Sequence, residues 1–295
     1  MIQSFISAFW KRVGKTDALR LSQQSPPEGI TEITDVDYAL AGDRYRYADV
    51  YVKSDRGGEK LPAVFDVHGG GWYYGDKELN KIYCLNLAAE GSFKVVNLSY
   101  RLAPSASIAD QLNDVVGALN FFYENAERFG IDTDNLFLTG DSAGGNLAGL
   151  VLNALTNPEL KRAFGVEVMP RFRAAGFTSA AFTLNALSKK PFARAYFKPL
   201  YAGNARLAEY MDYAENAVGV PPPSCIITGD GDFLRKDALS TAEKLIARGS
   251  DVLLIDLKGE KHKLGHVFNV TYPLSPEGSA ANAAMLNFFK KHLRK

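Results

Sequence analysis

Short runs rich in β-branched and aromatic residues, at 45–53, 61–67, 94–100, 135–139, 173–177, 224–228 and 251–257, alternate with longer stretches of helical periodicity. The clearest helical stretches lie at 108–129, 145–155, 238–248 and 281–292, the last placed to close the fold. This alternation constrains topology strongly. A strand followed by a helix returns to lie parallel beside an earlier strand, so repeated units build an α/β fold: a mainly parallel central sheet flanked by helices. No repeat, low-complexity tract or linker breaks the pattern, and the chain reads as a single domain spanning 1–295.

Two segments, about 1–32 and 179–218, fit the alternation poorly and read as cap or lid segments of the single domain. The second carries Phe192, Tyr196, Phe197 and Tyr201 among short helical pieces and reads as a small helical cap or lid over a pocket. Its aromatics serve either that pocket or the lid's own underside. The first places Ile2, Phe5, Ile6, Phe9 and Trp10 at helical spacing, a face expected to pack on the protein itself rather than on a membrane surface.

Charge and apolar content narrow the function classes. Lysine plus arginine (34) nearly equals aspartate plus glutamate (33), so no global basic field draws in nucleic acid, and a small-molecule partner is expected. No apolar stretch approaches the roughly 20 residues that cross a bilayer. The N-terminal apolar run is too short for a secretory leader and precedes its positive charge, so a cytoplasmic protein without stable membrane insertion is expected. Self-association into a homo-oligomer is left open. Cys84 and Cys225 lack metal-ligand spacing and are expected to be reduced and buried; no metal or cofactor is expected.

Residues 135–150 read NLFLTGDSAGGNLAGL: a short apolar strand, then Gly140-Asp141-Ser142-Ala143-Gly144, then an apolar helix. A serine at such a tight strand-to-helix turn adopts a strained backbone that projects its hydroxyl, and the flanking glycines avoid collision with neighbouring backbone. The following helix aims free N–H groups and its positive dipole end at a reacting carbonyl oxygen. A serine hydroxyl is a poor nucleophile unless a base takes its proton, and a histidine base needs an acid to orient it.

The chain has four histidines. His292, among lysines in the terminal helix, reads as a surface residue, and His68, before three glycines, as a tie for its own loop. His262 and His266, both in KGEKHKLGHVFNV after the strand ending near Leu257, suit the base by position. For the acid, the loop after 224–228 continues GDGDFLRKDA, so Asp230, Asp232 and Asp237 are candidates; at least two of the three must instead be helix caps or solvated turn residues. Upstream, HGGGWYY at 68–74 follows the strand 61–67. Three successive glycines leave backbone N–H groups unshielded, which suits them to stabilise a developing oxyanion; Gly70 and Gly71 are the expected donors, with Ala143 as the third.

Together these residues resemble the hormone-sensitive lipase-like carboxylesterases of the α/β-hydrolase superfamily. The resemblance covers roughly residues 60–290 and is carried by HGGGW at 68–72, YRLAP at 100–104, GDSAGGNLA at 140–148, DFLRKD at 232–237 and HVF at 266–268. It implies an α/β-hydrolase fold with Ser142 as nucleophile, Asp232 as acid and His266 as general base, in the serine, acid, histidine order of that fold. Departures include Ser105-Ala106-Ser107-Ile108-Ala109 in place of the family's Glu and Pro-Phe-Pro run, with Asp114 at the family's aspartate position. Val267 stands where a glycine usually follows the histidine, and the preceding loop is long, which keeps His262 open. Arg101 and Asp141 read as scaffold residues that pair near the nucleophile turn.

The expected chemistry is hydrolysis of an ester through an acyl-enzyme. Trp72 and Tyr73, with Tyr74 and the aromatic lid, suggest a compact substrate pocket for a short acyl group such as acetyl. A carbohydrate acetyl esterase would use the same aromatic surfaces. A non-catalytic small-ligand receptor on this fold is the reading from another class; histidines in the right loop argue against it.

Overall fold

The computed structural model describes residues 2–184 and 191–294. Of the segment 179–218, residues 185–190 and the side chain of Phe192 therefore lie outside the described residues. The strands are β1 (Ile30–Asp37), β2 (Tyr47–Lys53), β3 (Leu61–Val67), β4 (Lys94–Leu98), β5 (Ile131–Asp141), β6 (Phe172–Thr178), β7 (Ser224–Gly229) and β8 (Val252–Leu257). They form one sheet in the order β1-β2-β4-β3-β5-β6-β7-β8. β1 with β2 and β2 with β4 pair antiparallel, and every later pair is parallel.

The helices are α1 (Ile2–Ser22), α2 (Lys77–Ala89), α3 (Ile108–Glu124), α4 (Ala126–Phe129), α5 (Ser142–Ala154), α6 (Pro158–Phe164), α7 (Pro191–Phe197), α8 (Tyr213–Asn216), α9 (Arg235–Ala247), α10 (Phe268–Thr271) and α11 (Pro276–Lys291). Local chemistry sets several of their ends. Ser107 Oγ accepts from the Asp110 N–H while the Asp110 carboxylate accepts from the Ser107 N–H, a reciprocal cap that starts α3. Asn157 caps α6, Pro158 occupies its first turn, and Gly165 ends it at φ 66°.

The central strands read as continuous apolar runs because both faces of the sheet are covered. Ala63, Phe65, Leu138 and Ile226 pack into one core with α3 and α5, whereas Val64, Phe137, Cys225 and Ile227 pack into a second with α2 and α11. Alternate residues of each strand thus serve opposite cores. Phe289 of α11 stacks on Phe137 at 4.7 Å between ring centroids and is fully buried, a burial worth about 1.5–3 kcal/mol.

Three expectations need correction. The segment 1–32 is not wholly a cap: it supplies α1 and then opens β1, an edge strand whose side chains are mostly exposed. An edge strand with so little buried surface carries few apolar residues, and so little periodic signal. The helix expected from 145 begins at Ser142 itself, and that expected over 108–129 breaks at Asn125 into α3 and α4. Cys84 and Cys225 are free and buried as expected. Among the described residues no helix is long and apolar enough to cross a membrane.

Candidate active site

β5 delivers its last residue, Asp141, into a tight turn, and α5 starts at Ser142 with φ 50°. That left-handed conformation is rare for a residue with a side chain, and it is held by close packing on either side. A Cβ on Gly144 would lie 1.9 Å from the Val67 carbonyl oxygen, so the turn approaches β3 as closely as backbone allows. Ala143 is buried in the first turn of α5, where an α-helix leaves its N–H groups without intrahelical acceptors.

The loop after β8 brings His266 to this serine. His266 Nε2 lies 2.9 Å from Ser142 Oγ, and His266 Nδ1 lies 2.8 Å from Asp232 Oδ1. A carboxylate has no proton to give, so Nδ1 carries the hydrogen and Nε2 accepts from the serine hydroxyl. Asp232 follows β7 and is buried; its Oδ2 accepts from Thr228 Oγ1 at 2.9 Å and its Oδ1 from the Leu234 N–H at 3.0 Å. Burial pushes the Asp232 carboxyl up, but hydrogen bonds from His266 and Leu234 outweigh it and hold the group below the usual carboxylate range. Val267 takes φ 53°, the left-handed conformation that a glycine at this place would adopt freely, and its N–H donates to Ser179 Oγ. The Phe233 ring lies 4.3 Å from the imidazole, at the exposed rim.

The other candidates are placed apart. His262 is exposed in the same loop, four residues before His266. Asp230 Oδ1 accepts from the N–H groups of Leu264 and Gly259, so it folds that loop; Asp237 accepts from those of Phe182 and Thr183. His68 stacks on Tyr100 at 4.3 Å and donates from Nδ1 to the Gly69 carbonyl; burial pushes its pKa down to about 4, so it is neutral. His292 is only partly exposed and lies 3.2 Å from Asp251.

Gly70, Gly71 and Trp72 line the same cavity as Ser142 and His266, a space of about 490 Å³. Trp72 is buried edge-on against Phe197. Tyr73 faces α7, its hydroxyl donating to the Tyr196 carbonyl oxygen at 2.8 Å, and the residues lining this cavity include Tyr74 and Leu79 in its stead. Trp10 of α1 and Tyr196, the first expected to pack on the protein and the second a lid aromatic, complete the wall together with three residues that had no reading from sequence, Val13 and Arg20 of α1 and Asn80 of α2. The helical spacing of Ile6 and Trp10 was a visible signal for α1; nothing in the spacing of Asn80 marked it.

Beneath the turn at Ser142, Asn80 Nδ2 donates to both Asp141 Oδ1 and Asp66 Oδ2 at 2.8 Å. Asp141 also accepts from the Gly69 N–H at 2.9 Å and so ties the glycine loop to the turn at Ser142. Both carboxylates are fully buried. Burial and then the neighbouring Asp141 push Asp66 up to about 7, and burial likewise raises Asp141. The expected Arg101–Asp141 pairing does not occur: Arg101 forms a two-pronged ion pair with Asp114 at 2.6 and 2.8 Å, because Asp141 is enclosed and already satisfied by Gly69 and Asn80. Among the described residues, no group of three histidine, cysteine, aspartate or glutamate side chains is placed to hold a metal ion.

A family model described as alpha/beta hydrolase fold matches residues 64–266. The chain is 36% identical over 120 residues to the versiconal hemiacetal acetate esterase of Dothistroma septosporum, covering 40% of this chain and 36% of that protein. It is 35% identical over 107 residues to the ethyl acetate hydrolase of Pseudomonas putida, covering 36% and 34%. These matches span only about a third of either relative. Among solved structures, esterase B from Lactobacillus rhamnosis superposes with a TM-score of 0.91 at 28% identity, over 98% of this chain and 94% of that one. The same esterase inhibited by a tributyrin phosphonate superposes with a TM-score of 0.92 at 29% identity, over the same shares.

Proposed function

Because this chain belongs to the alpha/beta-hydrolase fold family, among its hormone-sensitive lipase-like members, we propose that it is a serine carboxylesterase acting on short-acyl esters through Ser142, His266 and Asp232. The observation that carries this reading is the unbroken hydrogen-bonded run from Asp232 Oδ1 through the imidazole to Ser142 Oγ, at 2.8 and 2.9 Å. It opens onto a cavity that the glycine loop also lines.

In the proposed mechanism His266 Nε2 takes the Ser142 proton as the hydroxyl oxygen attacks the ester carbonyl carbon. The oxyanion so formed is held by the N–H groups of Gly70, Gly71 and Ala143, each such donor being worth about a hundredfold to a thousandfold in rate. Asp232, already ionised below the usual range, compensates the imidazolium. His266 then gives its proton to the departing alcohol. A water deprotonated by the same base attacks the acyl-enzyme, and the acid leaves with Ser142 restored.

The size and character of the cavity support a short alkyl ester. Its walls include Val13, Leu184, Phe197 and Val270, which favour apolar limbs over a hydrated oligosaccharide. The Lactobacillus esterase that superposes on this chain is inhibited by a C4-C4 tributyrin phosphonate, which is in keeping with short acyl chains. The run from Asp232 to Ser142 also favours an enzyme over a ligand receptor. A fluorophosphonate probe is expected to label wild type and not Ser142→Ala, and p-nitrophenyl acetate and butyrate are expected to turn over faster than the octanoate. Retention of most acetate turnover in Ser142→Ala would overturn the reading.

A further inference from the structure

The glycine loop is gripped from above by two segments that are distant from it in sequence. Tyr196 Oη of α7 donates to the Gly71 carbonyl oxygen at 2.7 Å, and Tyr73 Oη of the loop donates to the Tyr196 carbonyl oxygen at 2.8 Å. The two tyrosine rings lie 4.8 Å apart. Each residue therefore uses its side chain to hold the other's segment. From α1, Trp10 stacks on Tyr74 at 5.6 Å. A Cβ on Gly71 would stand 2.3 Å from the Trp10 ring and 2.5 Å from Tyr196 Oη, so no side chain fits at this position against α1 and α7.

The loop needs such a grip. Gly70 and Gly71 take φ 101° and 57°, and glycine has more backbone freedom to lose than any other residue. Asp141 fixes the Gly69 N–H, and the Gly70 carbonyl accepts from the N–H groups of Tyr73 and Tyr74 at 3.1 and 3.0 Å. The Gly71 carbonyl is held by the cap instead. The Gly71 N–H shares its peptide plane with the Gly70 carbonyl, which the loop itself holds, whereas the Tyr196 bond fixes the adjoining plane from Gly71 to Trp72; with both planes held Gly71 keeps its φ and ψ, and donors stabilise a transition state best when they need no reorganisation.

We propose that Tyr196 is a positioning residue of the oxyanion-binding loop, and that α1 and α7 are fixed parts of the catalytic apparatus rather than a lid that lifts away. The inference rests on the esterase reading above. It separates a cap that shapes substrate binding, which governs KM, from a cap that completes the transition-state site, which governs kcat.

The test compares wild type with Tyr196→Phe, Tyr73→Phe and the double variant, using p-nitrophenyl butyrate turnover. It also compares inhibition by a trifluoromethyl ketone, whose serine adduct places an oxyanion in the loop, with inhibition by the matching methyl ketone. Tyr196→Phe is expected to lower kcat about tenfold with KM within about twofold, since it loosens donors that are each worth about a hundredfold or more. Trifluoromethyl ketone affinity should fall by the same factor as kcat, with methyl ketone affinity unchanged. Tyr73→Phe should act in the same direction, and the double variant should fall short of the product of the two single effects. Unchanged kcat in a folded Tyr196→Phe, or a change confined to KM, overturns the proposal. If Tyr196→Phe does not fold, Tyr73→Phe decides by the same readings. Ser142→Ala runs alongside: turnover retained there sinks the esterase reading itself, whereas a dead Ser142→Ala with a wild-type Tyr196→Phe sinks only this inference.

Discussion

His266 Nε2 lies 2.9 Å from Ser142 Oγ, while His262, one helical turn's worth of sequence earlier, is exposed on the outside of the same loop. Asp230 makes the difference. By accepting from the Leu264 and Gly259 N–H groups it ties residues 259–264 into a turn, after which the chain reaches Ser142 with His266.

The two histidines are therefore expected to separate cleanly by substitution. His266→Ala should lower kcat about a thousandfold or more, as loss of a general base does in a hydroxyl-nucleophile enzyme. His262→Ala should stay within about twofold of wild type. Steady-state turnover of p-nitrophenyl acetate checks both, and an inactive His262→Ala would reverse the assignment.

Asp232→Asn keeps the shape of the acid but presents an amide to His266 Nδ1. A neutral amide neither compensates the imidazolium nor imposes the right tautomer, so kcat should drop by about a thousandfold to ten-thousandfold with little change in KM. Asp230→Asn and Asp237→Asn, whose carboxylates hold backbone rather than the imidazole, should retain most turnover. Parallel kinetics on the three variants rank the candidates directly.

Gly144→Ala tests the nucleophile turn. Its Cβ would stand 1.9 Å from the Val67 carbonyl oxygen and 2.4 Å from that of His68, and both obstacles are backbone that cannot rotate aside. The substitution should destabilise the fold by at least about 2–3 kcal/mol, as overpacking in a tight interior does, and should abolish turnover in whatever folds. Urea denaturation with activity measured on the folded fraction reads both effects.

Asp66→Asn should make stability less dependent on pH. Asp66 binds a proton up to about pH 7 in the folded protein, whereas its unfolded carboxyl ionises near 3.8. Between those values the folded state holds more protons than the unfolded one, so this group's contribution to stability falls as pH rises, then levels above 7. The variant should match wild type only near pH 4, and at pH 5, already above the unfolded value, it should lead by about 1–2 kcal/mol. At pH 8 it should be more stable by an amount on the order of a few kcal/mol, since each tenfold difference in proton affinity between the two states is worth about 1.4 kcal/mol. Melting temperatures from pH 5 to 8.5 would show the divergence, and parallel curves would refute it.

Patterns local in sequence are legible in the chain itself. Alternating apolar runs dictate the α/β sheet because each buried strand must hide both faces, as Phe65 and Val64 do on opposite sides. Gly140-Asp141-Ser142-Ala143-Gly144 announces a strained turn because so close an approach tolerates only glycine on either side of the serine. β1 leaves no such trace, since an edge strand buries too little to impose a pattern. Position along the chain leaves His262 beside His266 and Asp230 and Asp237 beside Asp232, and only the family resemblance favours one of each; tertiary structure brings His266 and Asp232, and not the others, into line with Ser142, because residues a few positions apart in a loop differ only in where the loop's own hydrogen bonds send them. It alone placed Asn80 between two buried carboxylates and Tyr196 on Gly71, contacts spanning 61 and 125 positions along the chain. A hydrogen bond depends on a distance in space of about 3 Å, and sequence separation carries no trace of it.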